Sequence, residues 1–171
     1  MLKNHKIFYS EYIVNNLNTI KNDIVELNSY FKEKDSTNYY PYYNIFSLTS
    51  GSMSFYHIYK EVYGIIKSNI DYSPCWFQAW INIHQYNNVL DWHDHYWDYH
   101  GYICIDPQDT VTEFENYTIK NQVGLIYFGK CNNPHRVVNK SQYNQNRITI
   151  GFDVTCDPIM NTGCLGFIPI I

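Results

Sequence analysis

Residues 147–155 read RITIGFDVT, Arg147 to Thr155, and this stretch decides the fold. Apolar side chains fall at every second position, with Ile148, Ile150 and Phe152 alternating against Arg147 and Thr149. A period of two marks a β-strand, whose successive side chains point to opposite faces. The apolar set belongs against a core. The other set turns a guanidinium and a hydroxyl toward an interior cavity. A buried guanidinium needs an anion, and its planar fork matches a carboxylate through two parallel hydrogen bonds. Either a protein Asp or Glu meets that need, or a dicarboxylate ligand does, with its far end on a metal. Asp153 reads as a surface residue at the strand end.

Upstream of this strand the same period recurs from Pro74 onward. Strands are expected at Trp76–Ile83, Leu90–Tyr96, Gly101–Ile105, Val111–Ile119, Val123–Phe128 and Arg136–Asn139. Turn-formers separate them: Asn87–Asn88, Asp106–Pro107, Asn132–Asn133–Pro134 and Ser141–Asn146. The first third is different. After Ser10, an N-cap, apolar residues recur in steps of three and four at Ile13, Leu17, Ile20, Ile24, Leu27 and Phe31, which predicts an amphipathic helix. Lys34–Pro41 reads as a loop. A second helix is predicted from Ser52, with Phe55, Tyr59, Val62 and Ile66 on its apolar side. Helices at one end and many short strands after them give an α+β fold, a sandwich or double-stranded β-helix (jelly roll) with two N-terminal helices packed on the sheet. The division is 1–73 for a helical layer of the same domain, 74–155 for the jelly-roll core and 156–171 for a C-terminal tail without assigned structure.

The bulk numbers exclude several classes. The chain has 171 residues, 45% of them hydrophobic and 16% charged, which describes one globular domain rather than a disordered chain. A formal net charge of −4 gives no basic face for nucleic acid. No apolar run approaches the roughly 20 residues of a membrane span, and the polar N-terminus is unlike a signal peptide. The 5 cysteines include no CxxC pair, which suits reduced thiols in a cytoplasm.

Of the 7 histidines, three stand in a pattern that points to a metal. In WHDHYW (residues 92–97), His93 and His95 are two apart, so on a strand both rings leave the same face while Asp94 points away. His135, in NNPHRVV, opens a later strand and is the natural third ligand. Non-haem Fe(II) oxygenases hold their metal through three ligands on one face and keep positions open for cosubstrate and oxygen. Zinc sites fit the same spacing, with Cys131 as a fourth ligand. His84 reads as solvated at a strand end and His100 as a structural histidine. Trp92, Tyr96, Trp97 and Tyr99 surround the proposed metal corner.

These residues together resemble the 2-oxoglutarate/Fe(II)-dependent oxygenases, in particular the prolyl 4-hydroxylase-like branch and its short phage and bacterial versions. The resemblance spans roughly the last 80 residues of the roll. It is carried by His93-Asp94-His95, by His135, by Arg147-Ile148-Thr149, and by the VGLIYF stretch before the distal histidine. It implies Fe(II) on His93, His95 and His135, with 2-oxoglutarate as cosubstrate on Arg147 and Thr149. Tyr102, or in its place Tyr86, would give the cosubstrate a further hydrogen bond. O2 and a substrate the sequence does not name complete the reaction, a hydroxylation that converts 2-oxoglutarate to succinate; a phage-encoded protein would work in the host cytoplasm. One position departs from the family, which has a carboxylate where His95 stands. Three imidazoles would leave the metal with one more unit of positive charge. A β-bulge turning Asp94 inward, Asp98 reaching back, or a two-histidine site completed by water or halide are the alternatives. Two other functions remain open: a three-histidine cupin acting without 2-oxoglutarate, and a jelly-roll binding module without chemistry.

Overall fold

The computed structural model describes residues 5–30, 43–49, 51–71, 74–88, 90–157 and 166–170. The expected loop at Lys34–Pro41, Phe31 and Cys164 lie outside the described residues. Among those described, the chain runs β1 (His5–Tyr9), α1 (Glu11–Asn15), α2 (Leu17–Ser29), α3 (Ile45–Leu48), α4 (Met53–Asn69), β2 (Cys75–His84), β3 (Tyr99–Asp106), β4 (Thr110–Phe114), β5 (Thr118–Lys120), β6 (Leu125–Lys130), β7 (His135–Asn139), β8 (Arg147–Thr155) and β9 (Ile168–Ile170). The fold is α+β, and its strands pair antiparallel in two sheets. A six-stranded sheet has the order β1-β6-β3-β8-β2-β9 and a three-stranded one the order β5-β4-β7.

Both helix starts follow their caps. Ser10 accepts the N–H of Ile13 at 3.1 Å, and Ser52 accepts that of Phe55 at 3.4 Å. Such caps are worth about 1 kcal/mol each. The first helix is broken once, at Asn16, whose side-chain amide donates to the carbonyl of Tyr12 at 2.9 Å and so competes with the next turn. The apolar stripe survives the break: Ile13, Ile20 and Ile24 are fully buried. They meet Ile58, Val62 and Ile66 of α4 and the apolar face of the large sheet in one core.

β8 is the hinge of the architecture. It lies between β2 and β3, paired from His84↔Arg147 to Trp76↔Thr155 on one side and from Tyr99↔Val154 to Asp106↔Ile148 on the other. Ile148, Ile150, Phe152 and Val154 face the helices and belong to the core. Arg147, Thr149, Gly151 and Asp153 face the opposite way, toward the small sheet, and line a cavity there. Gly151 is needed for that floor, because a Cβ built on it would stand 2.8 Å from the Trp80 ring that lies across it.

Three expectations need correction. Leu90–Tyr96 is no strand; only His93 forms an isolated bridge, to His135. Val111–Ile119 is two strands, folded over at Phe114, whose N–H donates to the Tyr117 carbonyl at 2.9 Å. The terminal segments are not merely helix and tail, since β1 extends the large sheet beyond β6 and β9 extends it beyond β2. Their pairing partners are more than 80 residues distant for both strands, so no local pattern announces them. No helix among the described residues is long and apolar enough to cross a membrane.

Candidate metal centre

The cavity between the two sheets has a volume of about 360 Å³. The large sheet gives it Trp80, Tyr102, Arg147 and Thr149, and the small sheet gives it Thr112 and His135. His93 and His95 reach it from the loop after β2. That size falls at the lower end of the roughly 300–1,000 Å³ typical of small-molecule sites.

His93, His95 and His135 come together at one end. Each offers one ligating nitrogen, all within 4.8 Å of one another, and the three can hold a metal ion. A two-way backbone bridge sets the arrangement: His93 N–H donates to the His135 carbonyl at 3.0 Å, and His135 N–H returns the bond at 2.9 Å. So His93 and His95 share a side because a loop is stitched to β7, not because they alternate on a strand. Asp94 is exposed, lies at the edge of the same cavity and is outside the three-histidine cluster.

The ring nitrogens are already sorted. Nδ1 of His93 lies 2.8 Å from the Asp91 carbonyl, and Nδ1 of His135 lies 3.2 Å from the Asn133 carbonyl. A carbonyl oxygen can only accept, so both Nδ1 atoms carry the proton and Nε2 keeps its lone pair. Nδ1 of His95 is 2.7 Å from Oδ1 of Asp153. Orienting the far nitrogen through a carbonyl or carboxylate is the habit of metal-binding histidines.

Burial also favours the neutral form of two of these rings. It holds His93 below the ordinary imidazole value, and it holds His135 down to about 3, helped by the positive charge His93 and His95 would carry. His100 is pushed down in the same way, first by burial and then by its three histidine neighbours. A folded-state value below the unfolded value of 6.5 means that acid favours the unfolded chain. The metal-free protein is therefore expected to be fully stabilised above pH 6.5 and to weaken as pH falls toward 3, at up to about 1.4 kcal/mol per pH unit for each such group. Denaturant melts at neutral and mildly acidic pH check this; equal midpoints would refute it.

No protein-family model matches the chain, and none of the curated proteins matches it. The reading of this site therefore rests on its own geometry.

Arg147 sits on the same cavity, 5% exposed, and burial draws its guanidinium below the usual value. Among the described residues no Asp or Glu pairs with it. Its Nη2 donates instead to Nδ1 of His84 at 2.7 Å, which corrects the expectation of a solvated His84. Thr149 and Tyr102 line the cavity beside it, and among the described residues the buried Tyr102 hydroxyl makes no hydrogen bond of good geometry, with Thr112 its near polar neighbour. Tyr86 is elsewhere, edge-on to Tyr143 at 5.3 Å. Cys131 is buried outside the three-histidine cluster, and Asp98 is held by Cys156 N–H at 2.8 Å and the Thr155 hydroxyl at 3.1 Å.

The strand pattern misplaces Asp153, while His100 is a buried ring packed against the site. Asp153 is buried in the middle of the sheet rather than at its surface. The His100 ring stacks on His95 at 4.4 Å and on His135 at 4.8 Å, with Nε2 buried and, among the described residues, without a hydrogen bond. Of the aromatic residues near the corner, Tyr96 and Trp97 line the cavity, Tyr99 stacks on Phe128 at 5.3 Å, and the Trp92 ring lies 5.1 Å from the Arg136 guanidinium.

Proposed function

We propose that the chain is an Fe(II)- and 2-oxoglutarate-dependent dioxygenase with a jelly-roll core, working in a reducing cytoplasm and hydroxylating a protein side chain or small metabolite. The observation that carries this reading is Arg147: a buried guanidinium without a carboxylate partner among the described residues, on the same cavity as three converging imidazoles. A buried charge left unpaired is costly, so an anionic ligand is the expected complement.

The donor set fits a divalent ion, since His93 and His135 have Nδ1 hydrogen-bonded to a backbone carbonyl and His95 has Nδ1 beside a carboxylate, which leaves Nε2 of each for coordination. Iron with 2-oxoglutarate and O2 would supply the oxidising chemistry, releasing succinate and carbon dioxide and adding oxygen to a substrate C–H bond. The chain's own residues bind, orient and exclude water. Arg147 pairs with the distal carboxylate, and Thr149 adds a hydroxyl beside it. Tyr102, whose hydroxyl makes no hydrogen bond of good geometry among the described residues, donates to the cosubstrate. Trp80, Leu90 and Val137 give the cavity apolar walls, which strengthens each charged hydrogen bond inside it. Exposed Asp94 and Tyr96 form the rim at which a substrate arrives.

A second reading, a three-histidine metalloenzyme acting without 2-oxoglutarate, is favoured by one observation: among the described residues no carboxylate joins the ligand cluster. Anaerobic titration separates the two. Fe(II) followed by 2-oxoglutarate should produce a weak visible charge-transfer band that requires both. Iron binding without the band refutes the cosubstrate. Failure of the folded protein to bind iron leaves a binding module without chemistry.

A further inference from the structure

Three neutral imidazoles contribute no charge, so a divalent ion on them would carry two positive charges into a cavity with apolar walls. A balancing charge stands one ring away. Asp153 is 4% exposed, faces the cavity from β8, and places Oδ1 2.7 Å from Nδ1 of His95. Among the described residues no Lys or Arg pairs with it. A carboxylate so placed needs a positive partner.

The surroundings are rigid. Asp153 lies in register with His100 on β3 and Gln78 on β2, held by strands on both sides. His95 is clamped between this carboxylate and the His100 ring, which stacks on it at 4.4 Å with the planes 16° apart. Oδ1 is close to Nδ1 but off the line of a good hydrogen bond, and it makes no other. A turn of the imidazole as its Nε2 takes a ligand would align the two.

We propose that Asp153 is a positioning residue of the metal centre: it fixes His95 in the tautomer that offers Nε2 to the ion and supplies the negative charge that a histidine ligand lacks. Dication plus Asp153 then carries one net positive charge, the same as a site of two histidines and one ligating carboxylate. The position where the chain departs from the resembled family is thus compensated from β8. The proposal rests on the three-histidine metal reading above.

The test compares wild type with Asp153→Asn, which keeps the volume and an acceptor oxygen but removes the charge. Fe(II) affinity is measured anaerobically by competition with a chromophoric chelator, and the Fe(III)/Fe(II) midpoint potential by titration. The variant should bind Fe(II) about 10- to 100-fold more weakly, the usual cost of losing an outer partner of a metal ligand. Its midpoint potential should rise, because Fe(III) loses more than Fe(II) when a nearby negative charge goes. A purely structural Asp153 would lower the melting temperature and leave the potential unmoved, and that result overturns the proposal. Wild-type protein that binds no Fe(II) overturns the metal reading instead. Should the variant fail to fold, proton NMR of the wild-type Zn(II) form decides. The His95 Nδ1 proton should lie at lower field and exchange more slowly than those of His93 and His135, which face backbone carbonyls. Three equivalent protons would overturn the assignment.

Discussion

Replacing His135 with alanine is expected to abolish divalent-metal binding while the fold survives. The expectation follows from how the site is assembled. The bridge that brings His93 to β7 runs through the backbone of both residues, at 3.0 and 2.9 Å, and does not need the His135 side chain. The loop therefore stays in place, and one of three nitrogens is removed. Loss of an outer partner alone costs about 10- to 100-fold in affinity, and loss of a direct ligand exceeds that. The fold is weakened too, since the ring lies 5.2 Å from Phe114 and 4.8 Å from His100, and truncating a buried ring leaves a hole. Below pH 6.5 part of that loss is offset, because the variant no longer has a buried imidazole that takes up its proton only on unfolding. Chelator competition on the folded fraction, with far-UV circular dichroism to establish that fraction, is the measurement. Asp94→Ala is the matched control: Asp94 is exposed and outside the cluster, so its removal should leave metal affinity unchanged. Reversal of the two results would mean that Asp94, not the histidine set, holds the ion.

What the sequence makes legible here is whatever the chain specifies locally. The two faces of β8 are readable because alternation is a property of consecutive residues, and both Ser caps are readable because their bonds close within three residues. The meeting of His93, His95 and His135 was anticipated for a reason that fails. WHDHYW has the spacing of a strand, yet it is a loop, and its rings converge through the bridge to β7 and the bond to the Asp91 carbonyl. Asp153 and His84 were misread for a single reason. A charged or titratable residue near a strand end looks solvated until the neighbouring strands are known. Every residue of β8 is buried because β2 and β3 flank it and other parts of the chain cover both of its faces. Those pairings join residues some 40 to 80 positions apart, and nothing within the nine residues of β8 reports them.

Arg147→Ala is expected to spare metal binding and to remove most of the affinity for 2-oxoglutarate. Arg147 is outside the three-histidine cluster, so the ion's ligands are untouched. A hydrogen bond to a charged group contributes about 1.5–3 kcal/mol, and breaking a buried pair costs about 3–5 kcal/mol. At 1.4 kcal/mol per tenfold, the lower of these ranges already weakens binding by roughly 10- to 150-fold. The ligand-free protein should respond in the opposite sense. In that state the guanidinium is buried against a neutral His84 nitrogen with no carboxylate among the described residues, so its positive charge is not offset. Arg147→Met, which keeps the length and removes the charge, should therefore be at least as stable as wild type without ligand. 2-Oxoglutarate should then stabilise wild type more than either variant. At a hundred times the dissociation constant the gain is about 2.7 kcal/mol, and for a chain of this size that raises the melting temperature by roughly 5–11 °C. A 2-oxo acid lacking the distal carboxylate should shift wild type and both variants equally, because it still reaches the metal and offers Arg147 nothing. If that acid shifts wild type as far as 2-oxoglutarate does, the guanidinium is not reading the distal carboxylate. If Arg147→Ala instead loses its metal, the residue belongs to the ion's environment rather than to a cosubstrate's far end.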